Sequence, residues 1–523
     1  MSKEIPTSLF SVARNYAENN FSQILSFTVI TIVVLTTFLF QGNVIGLEGG
    51  FDEKQPNHHG WVTANTIAII NRATPENFFV GYALASRDDQ NKIHYEYFDR
   101  YPVFFSAIFN RILILCNSLA EEMVLARQVM NFIFLSTLIV AFLILDKLTG
   151  NKPLALTATL LAFSNPFLLW YKDMVHFDQP ALFGFLLLIY ALALYKLEGR
   201  KTPLYIATFV AIGLGRGYAS YSILILWLAF ETFLILRKKG LILKEKFNRI
   251  LKHPSFLVLV IAIAWGGSLL TYNIVIEAHK RDVSILQTSI IRSARYRLSL
   301  NPEFNQENEE VINWPDFVKG QVSRIIQWSF PVKGVNFGFS WDILLLTGMF
   351  AVMGVIVRRQ SVEKRMIYLI LMLSGFFWLF PLKNLSAFHD YTAMYYIGIP
   401  LVFFLSVFTI IRLSKTTPYF LLIAGVILYV TTIVQVRDWH AELAGNANAY
   451  IYDFDRILEK IDGTGNNVNM AEGIPYGPFT SGFYLSEQYL SSRKVADYVV
   501  SRDKKKLPDN LTPDNEVIYL FKK

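Results

Sequence analysis

Within FDEKQPNHHGWV, residues 51–62, two acids (Asp52, Glu53) and two adjacent histidines (His58, His59) stand shortly after a long apolar run. A carboxylate or imidazole held at such a place can take a proton from a hydroxyl nucleophile, the work of a general base. Other clusters along the chain add cations. Arg100 stands in DRYP, 99–102, and Arg216 in GLGRGY, 213–218. Asp173, His176 and Asp178 share SNPFLLWYKDMVHFDQP, 164–180. Arg292, Arg295 and Arg297 fall in IIRSARYRL, 290–298, and Lys383, His389 and Asp390 border NLSAFHDYTAMYYIGIP, 384–400. Arginine holds phosphate well through its planar fork of donors. One base and several arginines make an inventory for displacing a phosphate leaving group.

Each cluster also has a plain reading. Asp52 can be a solvated loop acid, and DRYP a helix start with proline in its first turn. Asp178, two residues before Pro180, suits a helix N-cap. The arginines of 290–298 can form a solvated basic face. His389, Asp390 and Tyr391 can be one interfacial turn. GLGRGY lacks the Gly-Lys-Ser/Thr ending of a phosphate loop, although its glycines can open a span around Arg216. His58 and His59 are poor metal ligands together, because adjacent residues rarely share a face and no third or fourth ligand is evident. No cofactor is expected, and a divalent metal is the minor alternative.

The elements that would position these residues are membrane helices. Of 523 residues, 53% are hydrophobic and only 17% charged, below the roughly 25% of a soluble chain. The net charge of +8 is spread over short basic loops between apolar runs, which argues against nucleic acid. A single cysteine, Cys116, excludes an intrachain disulfide. Apolar runs predict eleven spans, at 21–40, 122–146, 153–170, 179–196, 203–216, 218–236, 255–277, 341–357, 366–382, 391–411 and 418–436. The first is read as a retained helix, since no small-x-small cleavage site follows it.

Loop charge sets the expected sidedness. With the N-terminus in the cytoplasm, DKLTGNKP, YKLEGRKTP, RKKGLILKEKFNRILKHP, VRRQSVEKR and IRLSKTTP are all internal and all basic, as the positive-inside rule requires. The acid- and histidine-bearing turns then share the outer face, and the C-terminus is outside. Two outer loops, 43–121 and 278–340, form the expected active-site face of a membrane domain over 1–436. The first holds two amphipathic pieces, Trp61–Asn71 and Pro102–Leu119, expected as interfacial helices. The tail, 437–523, is expected to be a small extracytoplasmic α/β module. It would have a helix near 446–461 and strands near NVNMAE, DYVVS and EVIYLF. The fold class is therefore an all-α polytopic membrane protein with a small C-terminal α/β domain.

An acid after the first span, R-Y-P before the second, N-P…D…D-x-P between the third and fourth, and H-x-Y…P at a late span occur together. In this combination the chain resembles the C-type glycosyltransferase superfamily over roughly residues 20–440. That group includes protein O-mannosyltransferases, bacterial aminoarabinose transferases and polysaccharide-locus enzymes. The resemblance implies a donor sugar on a polyprenyl phosphate, a hydroxyl acceptor on a glycan, lipid or protein, and a catalytic base at Asp52. It implies that basic residues of the outer loops bind the phosphate, with Arg100, Arg216 and the Arg292–Arg297 cluster as candidates. His58-His59 departs from many mannosyltransferases and leaves open whether an acid alone or an acid–histidine pair takes the proton.

Two rival classes remain. A transporter or flippase of a lipid-linked substrate would place ionisable residues near the bilayer midplane, often in repeated halves. Here they sit at span ends and no repeat is visible. A non-catalytic scaffold that displays the tail would not require acids and arginines gathered there.

Overall fold

The computed structural model describes residues 24–39, 58–73, 80–97, 102–215, 218–298, 313–330, 338–411 and 417–444, and strands at 467–470, 489–491, 498–501 and 519–522. The chain is a polytopic, helical membrane protein. In order, the helices are α1 (Ile24–Leu39), α2 (His58–Asn71), α3 (Val103–Leu113), α4 (Leu119–Thr149), α5 (Lys152–Phe163), α6 (Pro166–Trp170) and α7 (Asp178–Glu198). Then come α8 (Thr202–Gly215), α9 (Tyr218–Leu236), α10 (Leu243–Leu251), α11 (Pro254–Arg281), α12 (Ser289–Arg297) and α13 (Trp314–Ser329). The last are α14 (Phe339–Arg359), α15 (Val362–Leu379), α16 (Lys383–Phe388), a 3-10 turn (Asp390–Ile397), α17 (Gly398–Ile410) and α18 (Thr417–Ala444).

Helix lies on every expected apolar run. Among the described residues, seven helices are long and apolar enough to cross a membrane. The run at 153–170 is not one helix. It breaks between α5 and α6, where the Asn165 side chain accepts from the backbone N–H groups of Phe167 and Leu168 and caps the new helix. Its amide nitrogen donates to the carbonyls of Gln327 (2.8 Å) and Phe330 (2.7 Å) at the end of α13. That helix sits in the 278–340 segment, which the sequence presented only as a polar loop.

The helix α7 is central, with 67% of its apolar window buried inside the protein against 22% for α11. It packs on α4, α8, α9 and α15. Lipid tails are as apolar as leucine, so close backbone approach and packing rather than the hydrophobic effect hold such helices together. Gly184 provides one approach, since a Cβ there would sit 2.8 Å from the Ala211 Cα of α8.

The bundle has two polar ends. At one, Lys147 pairs with Glu198 at 2.5 Å and Lys364 donates to the Leu148 carbonyl at 2.6 Å, tying α4, α7 and α15. The other end holds α2, α3, α6, α12, α13, α16 and the 3-10 turn. There Asn71 donates to Glu122 of α4 (2.6 Å), and Asn110 of α3 to the Ile70 carbonyl (3.0 Å).

Among the described residues, one six-stranded sheet completes the fold. Its strands are β1 (Tyr82–Arg87), β2 (Ile93–Tyr97), β3 (Asn467–Met470), β4 (Tyr489–Ser491), β5 (Tyr498–Ser501) and β6 (Tyr519–Lys522), in the order β2-β1-β4-β3-β5-β6. The tail strands expected near NVNMAE, DYVVS and EVIYLF are present. They share their sheet with a hairpin of the 43–121 loop, through parallel pairing of Ser86 with Leu490 and Arg87 with Ser491. The Asp88 carboxylate organises the hairpin turn by accepting from the N–H groups of Gln90 and Lys92, both at 2.9 Å. The helix expected near 446–461 lies outside the described residues.

Candidate functional site

The turn between α6 and α7 gathers most of the chemistry. Lys172, Asp173, His176 and Asp178 are all buried there. Asp173 Oδ2 lies 3.7 Å from Lys172 Nζ and 4.0 Å from the Arg127 guanidinium of α4. Lys172 also donates to Asn131 Oδ1 of α4 at 2.9 Å. Burial lowers the Lys172 pKa, while Asp173 opposes that shift. Two cations thus flank one carboxylate in a poorly solvated place.

Asp178 is not the N-cap that its place before Pro180 predicts. Phe177 holds that position, and no side chain caps α7. The carboxylate instead faces His176 Nδ1 and accepts from the Tyr395 hydroxyl at 3.1 Å. This binds the turn to the 3-10 segment. Tyr171 donates to Asp390 across the same boundary at 2.6 Å. The Tyr391 ring lies 5.4 Å from His176 and 5.3 Å from His389, centroid to centroid, so two histidines distant in sequence meet around one ring.

Why the late span starts with a 3-10 turn follows from packing. Gly398 begins α17 in direct contact with the Leu371 carbonyl of α15, where any Cβ would collide. The preceding turn carries five tyrosine, methionine and isoleucine side chains and two small ones into the core, and all of Asp390–Ile397 is buried. Gln321 of α13 braces this region, donating to the Ser386 carbonyl (3.0 Å) and accepting from the Tyr396 hydroxyl (2.9 Å). Arg324 donates to the carbonyls of Ser386 and Ala387.

The arginine cluster forms the separate short helix α12, which packs on α11 and α16. Arg292 is exposed and Arg295 and Arg297 are half-buried. Fully buried Glu277 of α11 holds the start of this helix, with its two oxygens 2.9 and 2.7 Å from the Ser289 N–H. Lys383, at the start of α16, places its ammonium 5.3 Å from the centre of the Trp314 ring.

The candidate residues thus divide. Asp173, His176, Asp178, His389 and Asp390 come together. Arg292, Arg295, Arg297 and Lys383 lie on the neighbouring α12 and α16. His58 and His59 begin α2, whose Thr63 hydroxyl accepts from the Val175 N–H of the α6–α7 turn at 3.1 Å. Asp52, Glu53, Arg100 and Arg216 lie outside the described residues. The structure adds Arg127, Asn131, Lys172, Tyr171, Tyr391 and Tyr395. Arg127 carried the clearest sequence signal, an arginine inside an apolar run, because ionisable residues at such depth tend to be functional. Among the described residues, no group of three or more His, Cys, Asp or Glu is placed to hold a metal.

No family model and no curated protein matches the sequence. Among solved structures, ArnT from Cupriavidus metallidurans bound to undecaprenyl phosphate superposes with a TM-score of 0.52 at 11% identity. The match covers 90% of this chain and 85% of that one. The chain shares the fold of that structure. The apo form of the same ArnT gives a TM-score of 0.49 over 91% of this chain and 86% of that one, also at 11% identity.

Proposed function

We propose that the protein is a glycosyltransferase that moves a sugar from a polyprenyl-phosphate donor to an acceptor hydroxyl, on the extracytoplasmic side of the membrane. One observation carries the reading. Lys172 and Arg127 are buried against a single carboxylate, Asp173, at the polar end of the bundle that also holds the arginine helix α12. An anion entering there gains two cations in a low dielectric, where their attraction is strongest. The fold likeness to a structure solved with undecaprenyl phosphate supports a lipid phosphate as that anion.

The chemistry then needs few parts. The acceptor hydroxyl attacks the anomeric carbon, the bond to the phosphate oxygen breaks, and one displacement inverts the centre. The leaving phosphate is acidic enough to depart without a general acid, so Lys172, Arg127 and the α12 arginines stabilise its charge. Asp52 takes the hydroxyl proton. It precedes α2 by a few residues, and α2 is bonded to the catalytic turn through Thr63. His58 or His59 orients the acceptor or the carboxylate. The His176–Asp178–Tyr395 set fixes the turn under the donor. A domain over 1–436 does the chemistry, and the 437–523 tail meets the acceptor, a glycan, lipid or protein. The N-terminus is cytoplasmic and the C-terminus outside.

The test is transfer by purified protein in liposomes from radiolabelled polyprenyl-phosphate sugars. Wild type should transfer label to an acceptor, and Lys172→Ala should not. Asp52→Asn should fall far further than Glu53→Gln. Transport of the intact donor without transfer would replace this reading with that of a flippase.

A further inference from the structure

A cavity of about 650 Å³ lies between α13 and α14, lined among others by Asp316, Lys319, Ser323 and Asp342. It uses a different face of α13 from the site above. Asp316, Lys319, Gly320 and Ser323 recur at helical spacing along the cavity, whereas Gln321 turns to the 3-10 segment and Arg324 to α16.

Asp342 sets the chemistry. It stands in the first turn of α14, is 1% exposed, and its Oδ1 is buried with no hydrogen-bond partner. A buried carboxylate without a partner is costly, so a cation brought to it gains a strong, desolvated contact. Asp316 adds an exposed carboxylate at the rim, held by Asn313 at 2.6 Å, and Lys319 a cation one turn from it at the same rim. The Asp342 charge inside and the Lys319 ammonium at the rim complement a group that carries an ammonium and a phosphate a few bonds apart.

The location names the source of such a group. The α14 helix is one of the membrane-crossing candidates, and only 28% of its apolar window is buried. Trp341 in its first turn is 61% exposed, as expected of an aromatic anchor at the interface. The cavity therefore opens at head-group depth beside lipid. We infer that it binds the head group of an ethanolamine-type phospholipid, with the ammonium against Asp342 and the phosphate at Lys319. The site is independent of the transfer chemistry, although its wall is the helix that braces the 3-10 segment.

Native mass spectrometry of the full-length protein in detergent tests this, with phosphatidylethanolamine and phosphatidylglycerol offered in equal amounts. Wild type should retain phosphatidylethanolamine about tenfold better, the scale of one charge-assisted hydrogen bond. Asp342→Asn should erase the preference, and Lys319→Gln should weaken retention of both lipids. Gly320→Leu is the control for folding, since a Cβ there meets nothing within 4 Å and the side chain fills the cavity. It should lower retention of both lipids while leaving the melting temperature nearly unchanged. Equal retention in wild type, or a preference that survives Asp342→Asn and Gly320→Leu, means surrounding lipid only and overturns the site. Binding of soluble phosphoethanolamine with no lipid retained would overturn the lipid assignment.

Discussion

The two ends of the helix bundle both carry ion pairs, but differ in exposure. At one end Lys147 and Arg200 meet Glu198 with side chains 26–65% exposed, while Lys196 and His253 meet a buried Glu231. At the other, the side chains of Arg127, Lys172, Asp173, His176 and Asp178 are only 3–8% exposed. Solvated pairs join helix ends and contribute little each. Buried pairs lose hydration that their attraction only partly returns, and apolar residues of like volume would often be more stable. A fold selected for stability alone would have no use for four buried ionisable groups in that turn and a fifth, Arg127, beside them. The first end is built to hold the bundle, and the second to hold something else.

That contrast can be broken at several points. The largest effect belongs to the proposed base. Asp52→Asn should lower turnover by about 10²–10⁴-fold with donor binding retained, as measured in the liposome assay. Unchanged turnover in both Asp52→Asn and Glu53→Gln would remove the mechanism. Next comes Arg127→Met, which leaves Asp173 with one fewer partner and should cost about 3–5 kcal/mol of stability. Adding Asp173→Asn should recover part of that stability and none of the activity. Recovery of both would make the cluster a mere structural pair. At the opposite end Lys147→Ala should cost only about 0.2–1 kcal/mol and leave transfer intact. A large loss there would erase the distinction between the ends.

The smallest effect concerns pH. Burial lowers the His253 pKa, with Glu231 opposing. As pH falls, the unfolded chain takes this proton before the folded one, so stability rises with pH through that range. It should be fully present above about pH 6.5 and decline below it. The melting temperature should therefore drop between neutral and mildly acidic pH, and His253→Asn should reduce that drop. An undiminished drop in the variant would place the titration elsewhere.

Apolar run length made the helices legible, because spanning a bilayer imposes a length that few other pressures imitate. The grouping of Asp173, His176 and Asp178 was legible for a similar reason, as polar residues crowded into a short turn between spans. Other features needed information the local sequence does not hold. The break at Asn165 is fixed by the carbonyls of Gln327 and Phe330, far along the chain. Asp178 looked like a cap because His176 and Tyr395, which claim its carboxylate, compete from outside the helix-start pattern. Two local signals do lie in the sequence. Asn313-Trp314-Pro315-Asp316 carries the N-cap and early proline that start α13. Ser86-Arg87-Asp88-Asp89-Gln90-Asn91 carries the Asp-centred turn of the β1–β2 hairpin.

The shared sheet imposes an order on biogenesis. Strand β1 is made early, yet its parallel neighbour β4 lies about 400 residues later, from Ser86 to Leu490. At about 5–20 residues per second, the ribosome needs tens of seconds to cover that distance. Throughout that interval one side of the hairpin is an open template for any extended chain. It closes only once β4 has been synthesised. A product truncated before β4 would keep that adhesive edge, so the sheet marks whether translation has passed that strand.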